Sequence, residues 1–224
     1  MAAGSTTRSP HERGDQSPLS RDQIVAEAIR LLDEEGFDAL SMRKLGARLD
    51  AGATSLYTHV ANKDELLELV VDRVIGEIPV PAPDALRWRA VMHEQAAGVR
   101  ATMLAHPWIT VVLSSAALSY LGPNMMRLTD SLIAILEVAD ITDEVVDLAA
   151  DAIFRFIVGS CSSEAAVLMT IARGGLPAEQ WVSRQHRRYA GQLARSAAAT
   201  SARVPEKFTL ELDLILDGVD ARRG

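Results

Sequence analysis

Cysteine is nearly absent: Cys161 is the only one among 224 residues. A lone thiol excludes an internal disulfide and every zinc site built from several cysteines. Aromatic residues are scarce as well, at 4% of a chain that is 48% hydrophobic. With Ala, Leu and Arg abundant, that balance favours helices over β-rich sandwiches or barrels. No uninterrupted apolar run approaches the roughly 18 residues a membrane span needs; stretches such as Ala165 to Met169, and Trp108 to Leu113 with its single Thr110, are far shorter. The first residues carry no apolar signal-peptide core. These absences predict a cytoplasmic protein with no membrane partner. An excess of positive charge is also missing. The net charge of −7 argues against indiscriminate coating of nucleic acid and leaves room for a small basic face. HExxH, GxSxG, Walker and dinucleotide signatures do not occur. Ser114, Ser115 and Ser160 lie in apolar helical stretches without a His at a telling spacing. No catalytic residue, metal or cofactor is expected.

What is present is helical periodicity. Residues 1–19 are rich in Ser, Thr, Pro, Gly and charge, and read as a flexible tail. From Ser20, a good N-cap, Ile24, Val25, Ala28, Leu31 and Leu32 follow amphipathic spacing up to Gly36. A short second helix follows Ser41, with Met42, Leu45 and Leu49 on one face, and stops at Asp50-Ala51-Gly52. A third spans about residues 53–59, and Asn62 caps a fourth that runs to about residue 78. The Pro79, Pro81 and Pro83 segment then divides a first domain, 20–78, from a second, 84–224. Further helices are expected near 84–105, 107–120, 123–138, 142–173, 178–199 and 208–222. The predicted class is all-α.

The segment 41–63, SMRKLGARLDAGATSLYTHVANK, carries the chemistry. Two short helices joined by a tight turn make a helix-turn-helix, whose second helix enters a DNA major groove. Such a helix must pack one face on its neighbour, here through Ala53, Leu56 and Val60, and offer polar side chains on the other. Thr54, Ser55, Tyr57, Thr58 and His59 fill that second role, while Arg43, Lys44 and Lys63 flank it where phosphates would run. Residues 20–75 hold seven Lys/Arg and eleven Asp/Glu, yet the window 41–63 holds four Lys/Arg against Asp50 alone. Binding should therefore be local and salt-sensitive.

With RDQIVAEAIRLLDEEGFDALSMRKLGARL and above all SLYTHVANKDELL in view, residues 20–75 resemble the DNA-binding domain of the tetracycline-repressor family. Asp50 stands where the family usually has Gly in the turn, and Ala51 where it usually has Val; Asp tolerates the left-handed conformation better than most residues. The resemblance implies that Arg43 reaches a base edge, that Thr54 offers its methyl or hydroxyl in the groove, and that Ser55, Tyr57 and Lys63 bind phosphates. His59 would meet a phosphate or a base. It further implies a homodimer on a palindromic operator, and a repressor released by a small, partly apolar effector. A helical protein-interaction module and an activator of the same fold remain the alternatives.

The second domain resembles the family's C-terminal domain most at FTLELDLILDGVDAR (208–222). The resemblance implies a dimer interface shared by this helix and helix 142–173, with Ile153, Ile157, Leu210, Leu214 and Val219 as candidates. It also implies an effector pocket. Candidate lining residues are Trp88, Met92, His93, Met103, His106, Trp108, Tyr120, Asn124, Met125, Phe154 and Met169, since adaptable Met side chains suit apolar ligands. Cys161, in the small-residue stretch GSCSS, reads as an inert packed thiol.

Overall fold

The computed structural model describes residues 19–114, 122–174 and 204–223; among them every named element is helical. Helix α1, Arg21–Glu35, starts with a reciprocal cap: Gln23 N–H donates to the Ser20 hydroxyl and Ser20 N–H donates to the Gln23 side chain. Ile24, Val25, Ala28, Leu31 and Leu32 form its buried stripe. Gly36, at φ 82°, closes it in a conformation that a side chain would strain. After a single 3₁₀ turn, Phe37–Ala39, comes α2, Met42–Arg48, capped by the Ser41 hydroxyl. Asp50 takes the left-handed turn position at φ 49°, as its chemistry allows.

Helix α3 spans Ala53–Leu56, and α4 spans Lys63–Ile75 under an Asn62 cap. The predicted third helix, 53–59, is thus shortened to a little more than one turn. Glu65 N–H donates to the Asn62 side chain at 2.8 Å, but the Glu65 side chain does not reach back to Asn62 N–H. Its carboxylate accepts instead from Ala61 N–H and pairs with Arg21. Leu45, Leu56 and Leu66, one from each of α2, α3 and α4, are fully buried together with Ile24 and Leu31. These contacts set the angle of the short α3 rod, which is too short to hold a helical shape alone.

The remaining elements are α5 (Trp88–Ala105), α6 (Trp108–Ser114), α7 (Pro123–Val138), α8 (Asp143–Gly174) and α9 (Val204–Asp220). Helix α5 begins four residues later than the expected 84. Helix α9 begins at Val204 rather than 208, because Pro205 sits in its first turn, where a missing N–H costs nothing. Helix α8 packs on α5, α6, α7 and α9. The buried residues form one cluster from α1 to α9, so the segments on either side of residues 78–84 pack against each other. Except for Leu19, the expected tail 1–19 lies outside the described residues, as does the helix expected at 178–199.

One feature of α8 departs from the sequence expectation. By length and composition alone, Asp143–Thr170 would suffice to cross a membrane, although its apolar residues never form one long run. Only 22% of its most apolar window is buried within this chain. Leu148, Val167 and Leu168 are exposed along it, and Leu210 and Leu214 are exposed on α9.

Candidate functional site

Helix α3 is held from both sides. Leu56 and Val60 anchor it in the core. The turn before it folds so closely over α2 that Ala51 N–H donates to the Gly46 carbonyl at 2.9 Å. A Cβ on Gly46 would lie 2.7 Å from the Ala51 carbonyl oxygen, so this crossing requires glycine. Beyond α3, Arg21 reaches back from α1 and donates to the His59 carbonyl at 2.9 Å. That contact spans 38 residues, and nothing in the local sequence signals it.

The opposite side of α3 is open. Thr54, Ser55, Tyr57 and Thr58 are exposed, Tyr57 by 51%, and His59 is half-buried. The Thr58 hydroxyl donates to the Ser55 carbonyl at 2.7 Å, which leaves its oxygen lone pairs and its methyl group for a partner. Arg43 is exposed on α2. The Lys63 ammonium lies 5.3 Å from the centre of the Phe37 ring, a cation–π contact that steadies the side chain without neutralising it. Two of the four cations in the window 41–63 are engaged within the protein. Lys44 pairs with Glu35, and Arg48 bridges Glu27 and Glu34. The hydrogen bond from Arg48 holds the Glu34 carboxyl below its usual range. Lys44 is therefore tied to α1 in this structure, an arrangement invisible to a reading of charge along the chain. Arg43 and Lys63 are left beside the polar face of α3.

Farther along, α5, α6, α7 and α8 surround a cavity of about 470 Å³. That is room for a small-molecule ligand. Of the residues proposed for an effector pocket, Met92 on α5, Met125 on α7 and Phe154 on α8 line this cavity. Gln95, which sequence reasoning passed over, also lines it; its amide donates to the Leu128 carbonyl at 3.0 Å and accepts from Ser131 at 2.9 Å. Met92, Gln95, Ala96 and Val99 repeat at i, i+3, i+4 and i+7, so the helical stripe of α5 was the available signal. Asp147 and Asp151 stand among the lining residues on α8, the latter paired with Arg155.

The other pocket candidates sit elsewhere. Met103 is packed in the core, and Trp88 lies beneath the guanidinium groups of Arg89 and Arg223. His93 faces Asp213 of α9 at 2.7 Å. His106 and Trp108 both meet Asp33 of α1, and Asn124 meets Asp72 of α4. Met169 is half-buried near the end of α8, away from the cavity lining. Tyr120 lies outside the described residues. Polar and aromatic side chains in this half were expected at a ligand; most of them instead join helices.

The interface candidates divide in the same way. Leu210 and Leu214 are 64% and 73% exposed. Ile153, Ile157 and Val219 are turned into the protein's own core, with Ile157 on the cavity wall. Leu148, Val167 and Leu168 of α8 are exposed as well. Cys161 is buried, and desolvation pushes its thiol up to about 11.

Comparison with known proteins meets this geometry at both ends of the chain. Residues 24–70 match the family model described as bacterial regulatory proteins of the tetR family. Residues 80–223 match that of the tetracyclin repressor-like C-terminal domain. An HTH-type transcriptional regulator of Saccharopolyspora erythraea is 37% identical over 164 residues, 73% of this chain and 69% of that protein. The HTH-type transcriptional repressor DrrR1 of Streptomyces coeruleorubidus is 34% identical over 179 residues, 79% of this chain and 65% of that one. The crystal structure of Streptomyces coelicolor ActR in complex with actinorhodin superposes with a TM-score of 0.79 at 31% identity, covering 93% of this chain and 99% of the other.

Proposed function

This chain belongs to the tetracycline-repressor family, and from that premise we propose that it binds a palindromic operator as a homodimer and releases it when a small molecule enters the cavity. The observation that carries the reading is the polar, unobstructed face of α3, flanked by Arg43 and Lys63, on a helix whose other side is locked into the core. Tyr57, Ser55 and Lys63 contact phosphates, while Arg43 and Thr54 reach base edges. So few contacts per subunit make the second subunit necessary: two recognition helices about 34–36 Å apart meet successive major grooves.

Residues of α8 and α9 support the dimer. Leu148, Val167 and Leu168 of α8 and Leu210 and Leu214 of α9 are exposed apolar side chains, and covering them with a second copy removes apolar surface from water. The same pairing accounts for a long, largely uncovered apolar helix in a cytoplasmic regulator. The effector is a molecule with a substantial apolar body, because methionine, leucine, isoleucine and valine dominate the cavity wall. ActR, which is similar over nearly its whole length, was crystallised with actinorhodin, and DrrR1 is named a repressor; both favour a ligand-released repressor here.

Helix α4 joins the two functions. Its 13 residues make a rod of roughly 20 Å from Lys63, beside the DNA, to the shared core, where it touches α5, α6 and α7. A shift at the inner end changes the spacing of the two α3 helices. Fluorescence anisotropy with an operator duplex tests the reading. Tyr57→Ala and Lys63→Ala should each weaken binding while the dimer persists, and Lys63→Ala, which removes one phosphate contact from each subunit, should lower the salt slope by about two. Unchanged affinity in both variants would refute it.

A further inference from the structure

Two aspartates of the DNA-binding part hold the first turns of two helices that wall the cavity. Asp33, near the end of α1, accepts from Trp108 Nε1 at 2.6 Å and meets His106 Nδ1 at 2.7 Å. His106 Nε2 lies 4.0 Å from Glu77, just beyond α4. Trp108 is the first residue of α6, and Leu113 on the same helix lines the cavity. Asp72, in the last turn of α4, accepts from Asn124 N–H at 2.8 Å and from the Asn124 amide at 2.9 Å. The same amide also donates to the Asp72 carbonyl at 3.1 Å. Asn124 is the second residue of α7, and its neighbour Met125 lines the cavity, as do Leu128, Thr129 and Leu132 on the same helix.

The fit at the second contact is close. A Cβ on Gly122 would fall inside the Asp72 carboxylate, so the chain enters α7 there only because residue 122 has no side chain. A Cβ on Gly76 would sit 3.0 Å from the Asn124 amide. Arg127, one turn along α7, donates to the Ile78 carbonyl at 3.2 Å and extends the junction past the end of α4. Neither junction includes a flexible loop between the aspartate's contact and the cavity wall. Each runs through a single helix, which transmits displacement as a rigid body.

We infer that Asp33 with His106–Trp108 and Asp72 with Asn124 are two latches that fix the DNA-binding part on the effector-binding part, and that they are the positioning residues through which a shift of α6 or α7 reaches α3. The inference rests on the operator reading above. It assigns Trp108, His106 and Asn124 a role outside ligand contact. While both latches hold, the separation of the two α3 helices of a dimer is set by the positions of α6 and α7. With them cut, each DNA-binding part swivels on the core and the separation is no longer specified.

The spacing of half-sites reads this directly and needs no effector. The dimer is titrated with its selected operator and with the same duplex carrying one extra base pair at the centre, which both lengthens and rotates the site. The full-length protein should prefer the original spacing by about fivefold or more, the lower end of typical coupling between sites. In Asp33→Ala/Asn124→Ala that preference should fall below about twofold, whatever happens to absolute affinity. A general loss of folding stability lowers binding to both duplexes alike and leaves the ratio intact. If the double variant does not fold by circular dichroism, Trp108→Phe and Asn124→Ala singly decide the matter: each should reduce the ratio. A ratio at the wild-type value in folded variants, or no spacing preference in the wild-type protein, overturns the latches. Failure of the wild-type protein to bind any duplex would instead overturn the operator reading, and the latches with it.

Discussion

Gly46→Ala sets two effects of opposite sign against each other. Gly46 lies inside α2, where replacing Gly by Ala ordinarily stabilises a helix by about 0.5–1 kcal/mol. Against this, the new Cβ would stand 2.7 Å from the Ala51 carbonyl oxygen and 3.3 Å from Ala53 N, both backbone atoms that no rotamer change can move. Overpacking of this kind costs about 1–3 kcal/mol. Overpacking wins, and the net loss is on the order of 1–2 kcal/mol. At about 2–4 °C per kcal/mol for a chain of this size, the melting temperature should fall by roughly 2–8 °C. Operator binding should suffer more than stability does. Ordinary contact begins at 3.4 Å, so the Ala51 turn must retreat by several tenths of an ångström and carry the start of α3 with it. Its hydrogen bonds to DNA then lengthen together, and affinity should drop on the order of tenfold, equivalent to about 1.4 kcal/mol. Differential scanning calorimetry and anisotropy titration, performed on one preparation, measure both quantities. A variant that melts higher than wild type and binds its operator equally well would refute the close-crossing argument.

Three further outcomes follow from the same structure. Leu210→Glu/Leu214→Glu places charge on the exposed face of α9; sedimentation should show monomers, and operator affinity should collapse, while helical content stays constant. Phe154→Trp adds volume to the cavity from α8, a helix that carries neither latch; effector response should be lost with operator binding kept within about threefold. The Cys161 thiol, raised to about 11 from 9.0 by burial, carries roughly a hundredfold less thiolate at pH 8 than a free cysteine. Iodoacetamide should therefore label it slowly at pH 8. Because the folded state holds this proton more tightly than the unfolded chain does, the associated stability is complete below about pH 9 and declines between pH 9 and about 11. Prompt labelling of folded protein at pH 8 would contradict the buried placement.

The DNA-binding part was the more legible half, for local reasons. Ser20, Ser41 and Asn62 cap the helices they were expected to cap, and Asp50 adopts the left-handed turn, because caps and turns are decided by residues one to three positions apart. The pairing of Lys44 is not legible along the chain because Glu35 lies on a different helix, nor is that of Arg21, whose acceptor is a backbone carbonyl 38 residues away. In the other half, helices were readable and roles were not. His106, Trp108 and Asn124 have side chains suited to a ligand, and the same chemistry suits contacts between helices; only tertiary placement separates the two. Val219, Ile153 and Ile157 illustrate the parallel difficulty for apolar residues. Periodicity marks a buried stripe without saying whether the covering surface belongs to this copy or to another.

The central claim is that α3 of two paired chains reads one duplex. Selection of bound duplexes from a random-sequence DNA pool by the purified full-length protein tests it most directly. The account predicts an inverted repeat whose half-sites are centred about one helical turn or a small multiple of it apart, and whose enrichment is lost with Tyr57→Ala/Lys63→Ala. Enrichment of a single unrepeated site, or none even in dilute salt, would contradict it.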